Sequence, residues 1–280
     1  MKIGINAWSF PTGLSLDEQL ALAKRAGFDG YEPALDETGP LSLESSDGEI
    51  AAVRDQVTDA GLAITSLATG LYWKYPCTSD DPAIRDKSLR IIKRQLEAAA
   101  LLNVDVVLVV PGCVYASFAS SPPVQYDVAW DRALEAISAA AAHARSCGVR
   151  IGVENVWNHF LLSPLEMRTF IDTVNDPYVG CYFDVGNVIQ YGFPEHWIRI
   201  LGSRILKAHV KDFRRAVGTL NGFVNLLGGD VDFPEVMRAF SEVGYDDYII
   251  AEVNAYNHFG DQSVYDLAAA MRRIVGRQGG

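Results

Sequence analysis

The apolar positions of this chain fall into two kinds of run that take turns from end to end. Short runs rich in β-branched residues predict strands at 2–7, 28–32, 62–68, 104–110, 149–154, 179–184, 205–210 and 248–252. Longer stretches in which apolar residues return every three or four places predict helices at 15–26, 48–60, 82–102 and 127–147, then one starting after Ser163-Pro164, a short one at 194–201, and two more at 232–243 and 263–275. The punctuation agrees. Ser15 with Glu18 three places on is a capping box, and Ser163 caps a helix whose first position is a proline. Gly27, Gly61 and Gly148 stand where helices should stop. Eight strands and eight helices in strict alternation predict a single (β/α)8 barrel, an α/β fold whose functional face is built at the C-terminal ends of the strands. The barrel domain is expected over residues 1–275, with 276–280 as a flexible tail.

Four of the strands end in a residue that a buried strand does not ordinarily carry. Residues 149–154 close on Glu154, 179–184 on Asp184 and 248–252 on Glu252, while His209 lies one place from the end of 205–210. A carboxylate closing an apolar strand is costly unless a cation, a base or a substrate hydroxyl meets it. In a barrel these are the ends of strands five to eight, on one face around half of the mouth. If they converge, two Glu, one Asp and one His make a ligand set for one divalent ion. Such a mixed carboxylate and imidazole set suits Mn2+, with Mg2+, Co2+ and Zn2+ as alternatives. Any one of the four alone would be better explained as a salt-bridged or solvated loop residue. Four at equivalent strand ends would not.

Composition narrows the partners. With 24 Lys and Arg against 35 Asp and Glu, the net charge of −11 speaks against a nucleic-acid backbone, which calls for clustered cations. Cys77, Cys113, Cys147 and Cys181 have no close spacing and are expected as reduced core thiols. No apolar run approaches the ~20 residues of a membrane span, and the first strand begins at once, so a cytoplasmic protein is expected.

Several further residues have both a functional and a plain reading. Trp8 and Trp157 lie just beyond the first and fifth strands, where they would be apolar walls for a sugar ring or ordinary packing. Glu32, ending the second strand, would bind a terminal hydroxyl of a substrate or form a salt bridge in a loop. His258, six places after Glu252, would approach the site or be a solvated loop histidine. Arg214 and Arg215 offer a fork of donors for phosphate or sugar hydroxyls, Lys211 and Asp212 read as a local ion pair, and Asn155 is placed to steady Glu154.

The pieces Gly152-Val153-Glu154-Asn155, Phe183-Asp184-Val185-Gly186-Asn187, His209-Val210-Lys211-Asp212 and Ala251-Glu252-Val253, with Gly228-Gly229-Asp230-Val231-Asp232-Phe233 before the last, follow one another in a specific order. In that order the chain resembles, over nearly its whole length, the xylose isomerase-like TIM barrels, the sugar phosphate isomerase and epimerase group that includes ketose 3-epimerases and endonuclease IV. The resemblance implies Glu154, Asp184, His209 and Glu252 as metal ligands, with Glu154 and Glu252 also the catalytic pair and Arg215 a holder of substrate oxygens. Two positions depart from the pattern. Asn187 stands where those epimerases carry a substrate-binding His, and Phe160 where they carry a second Glu. The implied activity is epimerisation or isomerisation of a sugar or sugar phosphate, foremost at C3 of a ketose through a cis-enediolate, with one carboxylate as base and its partner as acid. A lyase or dehydratase acting on a keto-sugar or inosose would use the same site. Phosphodiester hydrolysis of the endonuclease IV kind fits poorly with five His and this charge. Homo-oligomers, dimers or tetramers, are common in the family.

Overall fold

In the computed structural model, which describes residues 1–119 and 121–277, eight parallel strands make one sheet. They are β1 (Lys2–Asn6), β2 (Gly30–Glu32), β3 (Ala63–Ile64), β4 (Val106–Val109), β5 (Arg150–Glu154), β6 (Val179–Asp184), β7 (Ile205–Val210) and β8 (Tyr248–Ala251). Their order in the sheet is β3-β2-β1-β8-β7-β6-β5-β4. Between and after them come α1 (Leu16–Ala26), α2 (Asp47–Asp59), α3 (Pro82–Leu101), α4 (Tyr126–Cys147), α5 (Pro164–Val174), α6 (Pro194–Leu201), α7 (Phe233–Glu242) and α8 (Gly260–Ile274). The single TIM barrel expected from the alternation is the observed fold. Of the expected tail, 278–280 lie outside the described residues, while Arg277 pairs with Asp29 at 2.6 Å.

Local signals in the sequence set the helix ends. The Ser15/Glu18 capping box is present, and Ser46/Glu49 forms a second one at the start of α2. Gly27 and Gly148 adopt left-handed backbone at the ends of α1 and α4.

The expected third strand is shorter than its apolar run. After Ile64 the Ser66 hydroxyl turns inward to Glu32 at 2.5 Å, and Ala68–Thr69 then pairs with Ala34–Leu35 outside the barrel sheet. The ring closes at Leu67. Its N–H donates to the Val106 carbonyl at 3.2 Å, and its own carbonyl accepts from Leu108 at 2.9 Å. Buried Gln95 of α3 donates to the carbonyls of Leu67 and Leu108 at 2.9 and 3.0 Å, so a helix side chain pins the seam where backbone pairing is thin. A second small pairing, Asp212–Phe213 with Phe223–Val224, follows β7 and had no counterpart in the periodicity.

Strand alternation sends Ile3, Ile5, Val107, Val109, Ile151 and Val153 outward against the helices, where all are buried. The opposite set fills the barrel. There Tyr182 and Tyr248 occupy the room that side chains at Gly152 and Gly30 would need. A Cβ on Gly30 would stand 2.5 Å from Thr65 Cγ2 and 2.8 Å from Tyr248 Cε1. Gly30→Ala should therefore lower stability by about 1–3 kcal/mol through overpacking, read as a fall in the denaturant midpoint. Gly48→Ala, in α2 with nothing within 4 Å of the new methyl, should hold or raise it. Equal midpoints for the two variants would mean that the barrel interior is not packed as described.

Candidate metal centre at the strand ends

Glu154 and Asp184 end β5 and β6, His209 is the penultimate residue of β7, and Glu252 follows β8. Parallel register places them side by side, with Asp184 opposite His209 and His209 opposite Ile250. One ligand atom from each of the four lies within 4.8 Å of those of the others. Asp184 and His209 are completely buried and Glu154 nearly so.

His209 is held from below. Its Nε2 lies 2.7 Å from Glu32 Oε2. The same carboxylate accepts from Asn6 Nδ2, Ser66 Oγ and Tyr182 Oη, each at 2.5 Å. An ionised carboxylate can only accept, so Nε2 carries a proton toward Glu32 and Nδ1 faces upward, the nitrogen that would offer its lone pair to a cation. Burial by itself would raise the Glu32 pKa, but the imidazole and the two hydroxyls outweigh it and hold the group below its usual range. Glu32 is therefore not a contact for a substrate hydroxyl, as its strand-end position suggested. It is fully buried, with both oxygens engaged, and it orients the imidazole.

Nδ1 of His209 points at Glu252 Oε2, 2.8 Å away, and Glu154 Oε1, 3.4 Å away. Neither Nδ1 nor Glu154 Oε1 has a hydrogen-bond partner, although both are buried. Two orphaned atoms aimed at one point, in a set of three carboxylates and an imidazole, fit a divalent cation. The electrostatics agree. Burial would lower the His209 pKa, yet the carboxylates around it hold it well above the ordinary value. Burial raises Glu154, whereas Glu252, which burial would also raise, is drawn down by Lys211 and His209. The cage attracts positive charge. Lys211 supplies some of it, with Nζ at 2.7 Å from both Asp184 Oδ2 and Glu252 Oε2. The backbone of the loop after β6 packs directly on this lysine, since a Cβ on Gly186 would stand 2.4 Å from Lys211 Cβ. Lys211 is thus part of the centre and not one half of a local pair with Asp212, which instead accepts backbone N–H groups from Phe213, Gly229 and Val231.

The remaining candidates separate. A cavity of about 210 Å3 opens above the carboxylates and has Trp8, Trp157 and Asn187 in its walls. The Asn187 side chain donates to the Asn155 carbonyl at 3.0 Å, and Asn155 in turn clamps the backbone of Asp184 through both ends of its amide rather than steadying Glu154. Arg215 does not reach this cavity. Its Nη2 donates to the Gly192 carbonyl at 2.9 Å and its guanidinium lies 4.6 Å from the Phe193 ring centre, so it braces the β6–α6 loop from outside. His258 is exposed and does not line the cavity. Phe160 is buried among Tyr126, Trp130 and Phe170, which explains why no carboxylate occurs there. Trp73, Phe118 and Phe223 also line the cavity and were not singled out from the sequence. The place of Lys211 in the centre, rather than in a local ion pair, was readable, because period two from His209 puts it on the same face.

A barrel that gathers such a ligand set at the C-terminal ends of its strands is a TIM-barrel enzyme architecture. The chain belongs to the xylose isomerase-like TIM barrel family, whose model matches residues 20–274. It is 25% identical over 250 residues to the L-ribulose-5-phosphate 3-epimerases UlaE of Escherichia coli and Salmonella typhimurium, covering 88% of this chain and 84% of each relative. Among solved structures it is similar to D-psicose 3-epimerase in the presence of D-fructose, with a TM-score of 0.79, 21% identity and coverage of 99% and 100% of the two chains. It is also similar to the 3-keto-D-glucoside 4-epimerase YcjR of E. coli, with a TM-score of 0.77, 18% identity and coverage of 98% and 99%.

Replacing Glu32 by Ala should weaken Mn2+ binding about 10–100-fold, because the imidazole loses the partner that fixes its ring and tautomer. Titration of metal-stripped protein with Mn2+, alongside circular dichroism to confirm folding, measures this. Unchanged affinity in folded Glu32→Ala protein would remove Glu32 from the account.

Proposed function

We propose that the protein is a divalent-metal-dependent sugar epimerase that inverts the carbon beside a carbonyl, C3 of a 2-ketose. The observation that carries the reading is that Glu154 and Glu252 both border the cavity above the ligand set and both approach Nδ1 of His209. Inversion needs a proton taken from one face of a carbon and a proton returned to the other, which two carboxylates across a substrate can perform. Glu154, Asp184, His209 and Glu252 would hold the ion. When bound there, a divalent ion acts as a Lewis acid toward the carbonyl oxygen and helps to fix the substrate. The chain supplies the rest. One glutamate takes the C3 proton, the electron pair left behind spreads onto the neighbouring oxygens as an enediolate, and the opposite glutamate protonates C3 from the other side. Lys211 holds Glu252 in place by its 2.7 Å contact, and the aromatic walls keep water from the carbanionic carbon. The name of the curated relatives, 3-epimerase, supports the same chemistry.

In D2O the metal-loaded enzyme should wash solvent deuterium into C3 of a ketose, seen by proton NMR. Glu154→Gln and Glu252→Gln should each lower turnover by about 10²–10⁴-fold. Label at C1 or C2 would indicate aldose–ketose isomerisation, and release of water would indicate a dehydratase. Exchange at full rate in either Gln variant would refute the two-carboxylate mechanism.

A further inference from the structure

The cavity above the ligand set has a charged floor and an apolar wall. Its sides are formed by Trp8, Trp73, Phe118, Trp157 and Phe223, with Trp73 and Phe118 in edge contact at 4.7 Å between ring centres. Two polar wall side chains are already engaged. Thr69 Oγ1 donates to the Leu35 carbonyl at 2.7 Å, and the Asn187 amide donates to Asn155. Among the described residues that line the cavity, Lys211 is the sole cation, and Asp184 and Glu252 hold its ammonium. The nearby arginines turn elsewhere, Arg214 Nε to the Gly228 carbonyl at 2.9 Å and Arg215 to Gly192 and Phe193.

A phosphate monoester brings roughly −1.5 to −2 charges and three strong acceptor oxygens, and sites that bind one answer with arginine forks, lysines or free helix N-termini. This cavity would offer it indole and phenyl faces, and its lysine is already committed to Asp184 and Glu252. Burying a doubly charged group without donors is strongly unfavourable. Aromatic rings suit the opposite kind of ligand, a sugar whose carbon–hydrogen face lies flat against them. The volume, about 210 Å3, suits a small molecule such as a monosaccharide, and a second cavity of about 420 Å3 adjoins it at Val156, Trp157 and Asn187.

We infer that the substrate is a free, unphosphorylated ketose, in contrast to the ketose 5-phosphate in the name of the curated relatives. The inference rests on the epimerase reading above. Its test compares matched pairs on the metal-loaded enzyme, such as L-ribulose with L-ribulose 5-phosphate and D-fructose with D-fructose 6-phosphate, following deuterium entry at C3. The free sugar of at least one pair should be favoured by about 100-fold or more in kcat/KM, as expected when one ligand leaves a buried charge unpaired. Trp73→Ala should raise KM for that free sugar with less effect on kcat, because the ring touches the substrate away from the reacting carbon. Equal or better use of the phosphorylated partner would overturn the inference and leave the epimerase reading standing. Deuterium entry into neither member of any pair would overturn both.

Discussion

The contact between Glu32 and His209 is the constraint on which the rest of the centre depends. A fully buried carboxylate is tolerable only when its lone pairs are satisfied, and here Asn6 from β1, Ser66 from the turn after β3, Tyr182 from β6 and His209 from β7 all converge on it. The network also shapes the barrel. Tyr182 can run through the interior to reach Glu32 because Gly152 leaves it room, so the choice of a small residue on one strand serves a hydrogen bond on another. With Nε2 committed below, the imidazole presents Nδ1 to the three carboxylates above, and the ligand set follows from that single orientation.

Above the network, charge and apolar surface are divided by height. The floor concentrates Glu154, Asp184 and Glu252 around Lys211 and the histidine, where burial strengthens every electrostatic interaction. The walls come from loops and are mainly aromatic. Such a division suits the proposed proton transfer at a carbon: the groups that would move protons sit on rigid strand ends, and those that would exclude water and select the ligand sit on connections.

Much of this was legible in the sequence, for reasons that can be named. The strand and helix order could be read because period-two and period-3.6 runs alternate cleanly between serine caps and glycine stops, and seven of the eight strands appear close to where they were expected. The third was misjudged because Ser66 and Leu67 leave the strand path to serve Glu32 and the seam, both tertiary demands. The candidate ligand set was legible because a carboxylate ending an apolar run is anomalous by itself. Glu32 gave the same signal, but its partner is 177 residues away and no local pattern reveals which side of the imidazole it meets. Arg215 was misplaced because residue count beyond a strand does not fix a long side chain in a loop, where the Gly192 carbonyl and the Phe193 ring captured it.

The central claim is that the barrel, through Glu32, fixes His209 so that Nδ1 and three carboxylates hold one divalent ion. Crystals grown with Mn2+ and measured for anomalous scattering test it most directly. A single peak bonded to His209 Nδ1 and to oxygens of Glu154, Asp184 and Glu252, with Nε2 still on Glu32, is the expected result. A peak elsewhere, or an imidazole turned so that Nε2 faces the ion, would contradict it.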